Sequence, residues 1–290
     1  MDPTTAMYVA QGIHGLAYGL LLFLLASGFT LIFGMMGILN LAHGSFFMLS
    51  GYFGFQFLSM TGNFWLALLL APIAAAFFGV LSERFLLRKV HAFGHIGELI
   101  LTVGISLLIL ESVKVFWRGG SLHITVPQFL QGLVTVAGLS YPIYRLFIIG
   151  LSLMVLAFLT LILYKTRLGM IVRAAVSDAD MANALGVNIP LVFMFVFGVS
   201  TWLAGVAGVA IAPILTVFPG LADQIWMDAL VVVVVGGLGS LAGAFIVSII
   251  CGLSYCYGVQ FISQLAPVLM FILVAIVLGF RPMGLFGERE

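Results

Sequence analysis

Residues 231–250 read Val231-Val232-Val233-Val234-Val235-Gly236-Gly237-Leu238-Gly239-Ser240-Leu241-Ala242-Gly243-Ala244-Phe245-Ile246-Val247-Ser248-Ile249-Ile250. Both halves of this stretch are apolar on every face, with small residues at the join. A barrel strand would alternate apolar and polar residues, so runs of this kind read as membrane helices, because lipid admits only helices and closed barrels. The rest of the chain agrees. Hydrophobic residues make up 63% of 290 and charged residues 7%, against roughly 25% charged in an average soluble domain. The expected fold class is therefore all-α and polytopic, a single transmembrane domain over 1–290. The predicted spans are 13–34, 39–58, 64–83, 96–116, 143–164, 190–212, 225–237, 240–258 and 264–280. The seventh is short enough to be re-entrant, which makes the count eight or nine.

Lysine and arginine orient the chain. With nine alternating spans, Arg84, Arg88, Lys89, Lys165, Arg167, Arg173, Arg281 and Arg289 fall on one side, and Lys114, Arg118 and Arg145 on the other. The positive-inside rule makes the richer side cytoplasmic. The N-terminus is then outside, the C-terminus inside, and 117–142 an external loop broken by Pro127 and Pro142. Met1–Gly15 lacks a basic leader and a cleavage site, so no removable signal peptide is read. The net charge of +1 gives no field that would attract nucleic acid. Cys251 and Cys256 share one apolar segment and face different sides of it, which reads as small core residues.

Several features carry chemistry or exclude it. The polar island 165–190 predicts a short helix over about 177–186, with Ser177 as N-cap, Asp180 three residues on as in a capping box, Gly186 as the C-terminal stop and Pro190 opening the next helix. Met181, Ala184 and Leu185 share one face of it. Its two readings are a shielded surface helix and a knob that docks on a partner. Gly236, Gly237, Gly239 and Gly243 have no βαβ unit around them, so they read as a helix break or close packing rather than a nucleotide loop. Gly205 and Gly208, with Ala204 and Ala207, read as a packing face. His43 either borders the solute pathway or bonds a backbone carbonyl between helices. His14, His91, His95 and His123 read as interfacial, and His43 has no second histidine or carboxylate at metal-ligand spacing. Glu111 and Lys114 should pair on one face. The spans place no Asp, Glu, Lys or Arg at mid-membrane, only Ser27, Thr30, Ser50, Thr102, Ser106, Ser200, Thr201 and Ser248 among the polar residues singled out there. A proton- or sodium-coupled carrier needs more than that. No phosphate-loop motif is present, so ATP, if used, is hydrolysed by another chain. No nucleophile–base pair or metal cluster suggests catalysis. A weak repeat is visible between Gly34 with Leu41–Phe46 and Gly236 with Leu241–Phe245.

Four stretches, in order, resemble one family. Ala174-Ala175-Val176-Ser177-Asp178-Ala179-Asp180-Met181-Ala182-Asn183-Ala184-Leu185-Gly186-Val187-Asn188 is similar to the coupling region of permeases in bacterial ABC importers of the branched-chain amino acid type, the LivH-like subunits. Asn40–Met48, Gly236–Ala244 and Phe280–Gly287 are similar to three further segments of that family. The resemblance implies a permease subunit that imports branched-chain or related amino acids, or similar small solutes, across the inner membrane. It implies a second, LivM-like permease chain, two cytoplasmic ATPases that bind ATP and Mg2+, and a periplasmic substrate-binding protein. No cofactor is implied on this chain. Arg173, Asp178, Ala182, Leu185 and Gly186 are implied in coupling to the ATPase. Asn40, His43, Gly44, Gly236, Gly237, Gly239 and Ser240 are the candidates beside the pathway. One departure stands out: Asp228 occupies a position where the family often has Lys, near the expected outer end of a span. The alternative reading is a stand-alone secondary transporter or channel, for which 165–190 would be decoration.

Overall fold

The computed structural model describes residues 3–136 and 139–287; Arg289 lies outside them. In chain order the helices are α1 (Pro3–Met36), α2 (His43–Thr61), α3 (Phe64–Ser82), a π-turn (Glu83–Leu87), the single turn α4 (Arg88–Val90), a 3-10 turn (His91–Phe93) and α5 (Gly94–Trp117). After a further 3-10 turn (Gln128–Leu130) and two strands come α6 (Ile143–Lys165), α7 (Arg167–Ser177), α8 (Ala179–Ala184), α9 (Ile189–Ile211), α10 (Leu221–Gly236), α11 (Leu241–Phe261), a last 3-10 turn (Ser263–Leu265) and α12 (Ala266–Phe280). Nine of these correspond one for one to the expected spans. Six segments, Thr5–Met36, Phe64–Val90, Gly94–Trp117, Ile143–Lys165, Ile189–Ile211 and Leu241–Phe261, are long and apolar enough to cross a membrane unaided. The fold is an all-α polytopic bundle.

Between α5 and α6 the sequence predicts a loop, and the structure forms a hairpin there. β1 (Leu133–Val136) pairs antiparallel with β2 (Leu139–Pro142), Leu133 opposite Pro142 and Thr135 opposite Ser140. The β-branched run Val134-Thr135-Val136 favours extended backbone, and a span-length search passes over strands of four residues. Pro142 then serves as N-cap of α6, where its missing N–H costs nothing.

Lipid is as apolar as leucine, so burial alone does not hold membrane helices together. Close approach of small residues does. The most extensive crossing joins α1 and α11. The G-x-x-x-G run Gly15-Leu16-Ala17-Tyr18-Gly19 meets Gly252, where a Cβ would lie 2.3 Å from the Gly15 carbonyl oxygen and 2.4 Å from the Gly19 nitrogen. The expected packing face of α9 is also present. A Cβ on Gly205 would lie 2.8 Å from Pro72 Cα, and one on Gly208 2.1 Å from the Phe47 carbonyl oxygen. These two glycines let α2 and α3 close on α9, and Ser50 crosses the same gap to donate to the Gly205 carbonyl at 3.0 Å. The core lies along α2, whose residues His43–Tyr52 are all buried. Four of the eight hydroxyls singled out in the spans bond within their own helix: Ser27 to Leu24 O (2.8 Å), Thr102 to Leu99 O (2.9 Å), Thr201 to Phe197 O (2.9 Å) and Ser248 to Phe245 O (2.8 Å).

The connections sort into two ends of the bundle. At one end Leu122 bridges Val217, Tyr52 Oη donates to Gly120 O, and Thr216 meets His123 at 3.3 Å. At the other, Gly34 lies on Gly239 and Leu285 N–H donates to Val235 O at 2.8 Å. This is the grouping that nine alternating spans require. Lys114 donates to Glu111 at 2.7 Å on the exposed side of α5.

Candidate functional site

The polar island begins where α6 ends. Thr166 caps α7, accepting from Gly169 N–H at 3.2 Å while donating to Ile162 O at 2.6 Å. Gly169 fits because a Cβ there would lie 2.2 Å from the Leu163 carbonyl oxygen. The chain then turns sharply at Asp178, in extended backbone (φ −156°). Here the structure corrects the sequence reading. Ser177 is the last residue of α7, and Asp178 caps α8, accepting from Met181 N–H at 2.8 Å. A helix over Arg167–Ser177 was not expected; Ala174 and Ala175 favour its continuing to Ser177, and a carboxylate caps at least as well as a hydroxyl. The short helix is therefore Ala179–Ala184 rather than 177–186. Its end is as expected. Gly186 has φ +90°, its N–H donates to Asn183 O at 2.9 Å, and Val187 N–H donates to Ala182 O at 3.0 Å, the paired bonds of a Schellman stop. Asn188 caps α9 by accepting from Leu191 N–H, which places Pro190 second in that helix.

The five coupling candidates divide by position. Leu185 is 79% exposed and Met181, beside it, 59%, two large apolar side chains in open space at a polar end of the bundle. Ala182 is buried and anchors the turn from beneath. Asp178 and Gly186 shape the two ends of α8. Arg173 lies on the preceding α7, its guanidinium 5.4 Å from the centre of the Tyr164 ring. The structure thus brings Asp178, Ala182, Leu185 and Gly186 into one hairpin that presents Leu185, and sets Arg173 apart on α7.

The pathway candidates form two helix junctions. In the first, Asn40 Oδ1 accepts from Ala42 N–H at 3.0 Å and its carbonyl from His43 N–H at 3.2 Å. His43 Nε2 lies 3.0 Å from Leu25 O on α1, so the ring donates there. Its ring fits because Gly28 stands opposite, where a Cβ would lie 2.9 Å from His43 Cε1. Gly44 lets α10 approach, since a Cβ would lie 2.7 Å from Ala222 O. Asn40 and His43 are both wholly buried. In the second junction Ser240 caps α11, accepting from Gly243 N–H at 3.1 Å. Gly236 lies against Gly243, and Gly237 (φ +99°) and Gly239 (φ +87°) take backbone shapes that side chains resist. The terminal segment folds back onto this loop. Leu285 N–H and Phe286 N–H donate to Val235 O and Gly236 O at 2.8 and 3.1 Å, and Gly284 sits on Gly237. Two of the four stretches that carried the resemblance, Gly236–Ala244 and Phe280–Gly287, are therefore in direct contact, and Gly34 touches the same loop.

Three clusters were not foreseen. Asp228 is bonded across to α1, where Tyr18 Oη donates to its Oδ2 at 2.8 Å. His14 meets both Tyr141 and Arg145. Tyr18 lies one turn beyond His14, so the carboxylate sits toward the hairpin end of the bundle. Its helix begins at Leu221, four residues before the expected span. His91 Nδ1 lies 2.6 Å and His95 Nδ1 3.4 Å from the buried Glu98 carboxylate, so the two histidines converge on one carboxylate.

Comparison with known proteins follows from this geometry. Residues 13–278 match the family model described as branched-chain amino acid transport system, permease component. The high-affinity branched-chain amino acid transport system permease protein BraD of Pseudomonas aeruginosa is 28% identical, over 99% of this chain and 98% of its own. The permease protein LivH of Salmonella typhimurium is also 28% identical, over 98% and 96%. A probable branched-chain amino acid transport permease protein LivH of Methanocaldococcus jannaschii is 25% identical, over 93% and 90%.

Proposed function

The chain belongs to the family of branched-chain amino acid transport permeases, and from that premise we propose how it works within an importer. It is the membrane-spanning permease component of an ABC transport system. Its substrates are branched-chain amino acids or related small solutes. In our reading it does no catalysis itself. Two cytoplasmic ATPases bind ATP and Mg2+ and dock on the α7–α8 hairpin, with Arg173, Asp178, Ala182, Leu185 and Gly186 forming or shaping the contact. A second, LivM-like permease completes the pathway, and a periplasmic binding protein delivers the solute. The observation that carries this reading is the projection of Leu185 and Met181 from a rigidly capped turn. Burying an exposed apolar side chain of this size is worth about 1.5–3 kcal/mol, and a surface helix that merely shielded a loop would point such residues inward.

Asn40, His43 and Gly44, with Gly236, Gly237, Gly239 and Ser240, set the spacing and direction of helices that border the pathway. The burial of Asn40, His43, Gly44, Gly236 and Gly237, and the capping role of Ser240, suit joints rather than solute contacts. The protein sits in the bacterial inner membrane with its N-terminus periplasmic and its C-terminus cytoplasmic, a reading supported by the lysine and arginine distribution. Cysteine placed at the exposed Ser177 should react with an impermeant thiol reagent only from the cytoplasmic side, and labelling from outside would invert this orientation.

The reading as a whole is tested by affinity purification of the tagged chain from its native membrane. A nucleotide-binding ATPase and a second permease should come with it. Recovery of this chain alone, active in transport after reconstitution, would favour a stand-alone carrier.

A further inference from the structure

Most of the outer surface of the bundle is lipid-like. α3 exposes Leu69, Ile73 and Phe77, α5 exposes Ile100 and Leu107, and α12 exposes Ile272 and Ile276. The exposed face of α10 differs. It carries Asp223, Gln224, Met227 and the half-buried Asp228, over a helix of 16 residues, roughly 24 Å long. A charged side chain that faces hydrocarbon is costly and rare, and this half of α10 carries two carboxylates, so this face does not meet hydrocarbon in the working protein.

Asp228 sharpens the point. Tyr18 Oη donates to one of its oxygens, and the Tyr18 ring stacks on Tyr255 at 5.1 Å between centres. Among the described residues no lysine, arginine or histidine lies within ion-pair distance of it. A half-buried carboxylate between helices, held by a neutral phenol and with no cation beside it among the described residues, keeps its charge only if water or a cation reaches it. Two stacked tyrosine rings beside a carboxylate also form a surface that attracts ammonium groups.

We propose that this face of α10 lines the water-filled translocation route, and that Asp228 biases the route toward solutes bearing a positively charged group, such as the ammonium of an amino acid. An anionic solute without a compensating cation is disfavoured at the same point. The proposal rests on the importer reading for the identity of the solute, but its test does not.

The test is thiol labelling in the assembled transporter, in sealed vesicles, with Cys251→Ala and Cys256→Ala as background. Met227→Cys is treated with cationic and anionic methanethiosulfonates of similar size, with ATP and without nucleotide. In at least one of these states both reagents should react, and with each rate divided by that reagent's rate toward a small free thiol the cationic one should be roughly fivefold faster, as a unit charge some 8 Å away in water requires. Adding Asp228→Asn should bring the two normalised rates together. Leu69→Cys, on the lipid-facing side of α3, should stay unreactive. No reaction at Met227→Cys in either state would mean that lipid or the partner permease covers the face, and would overturn the proposal. A rate ratio unchanged by Asp228→Asn would overturn the role of the carboxylate. If the unaltered chain supports no ATP-driven uptake, the importer reading fails while the labelling ratio still decides the lining of α10.

Discussion

Replacing Leu185 with Glu is expected to cut ATP-driven uptake at least about tenfold while leaving the normal amount of protein in the membrane. The side chain is 79% exposed, so the folded chain loses no packing. What changes is the surface offered to the ATPase. A leucine that docks contributes about 1.5–3 kcal/mol, and 1.4 kcal/mol is a factor of ten in binding. The carboxylate adds the cost of burying a charge. Ala182→Glu separates coupling from folding. Ala182 is buried under the same turn, so that variant should lose membrane-inserted protein and uptake together. Uptake per inserted molecule is the readout. If Leu185→Glu transports normally, the coupling assignment is wrong.

Gly252→Leu should deplete the folded protein almost completely. A Cβ at this position would lie within 2.5 Å of three backbone atoms on α1, from Gly15 and Gly19. Backbone cannot rotate aside as a side chain can, so α1 and α11 must separate along their crossing. Overpacking costs roughly 1–3 kcal/mol where neighbours adjust, and here they cannot. The effect spreads because α1 also packs on α6, α9 and α10. Gly279→Leu, at a position where a Cβ would meet nothing within 4 Å, should be tolerated. Detergent-extracted yield and thermal stability of the two variants give the comparison. Equal yields would show that the α1–α11 crossing is not the structural hinge of the bundle.

Eight of the nine helices were legible because each is announced locally by a long apolar run, whereas the run behind α10, 225–237, was short enough to read as re-entrant. Gly186 was legible for the same kind of reason, since a glycine after a helical pattern stops it within a few residues. The break between α7 and α8 was harder to read. Ser177 and Asp178 are both good caps, and the choice depends on how far Ala174 and Ala175 extend the preceding helix. The hairpin at Leu133–Pro142 was missed because a four-residue strand carries little periodicity. The Tyr18–Asp228 contact and the Gly15–Gly19–Gly252 crossing were out of reach for another reason. Each joins α1 to a helix near the other end of the chain, and nothing in either segment names its partner. The two junctions lie between these cases. Their glycines were singled out as a break, but only the fold shows that the terminal Arg281–Gly287 segment closes over Gly236 and Gly237, with Arg281 donating to Leu285 O.

The most direct test of the account is uptake by the purified complex in proteoliposomes, with the chain, its co-purifying permease and ATPases, and the binding protein loaded with radiolabelled leucine outside. The account predicts accumulation that requires ATP and Mg2+ on the ATPase side and that collapses with Leu185→Glu. Accumulation that proceeds without ATP, driven by an ion gradient through this chain alone, would contradict it.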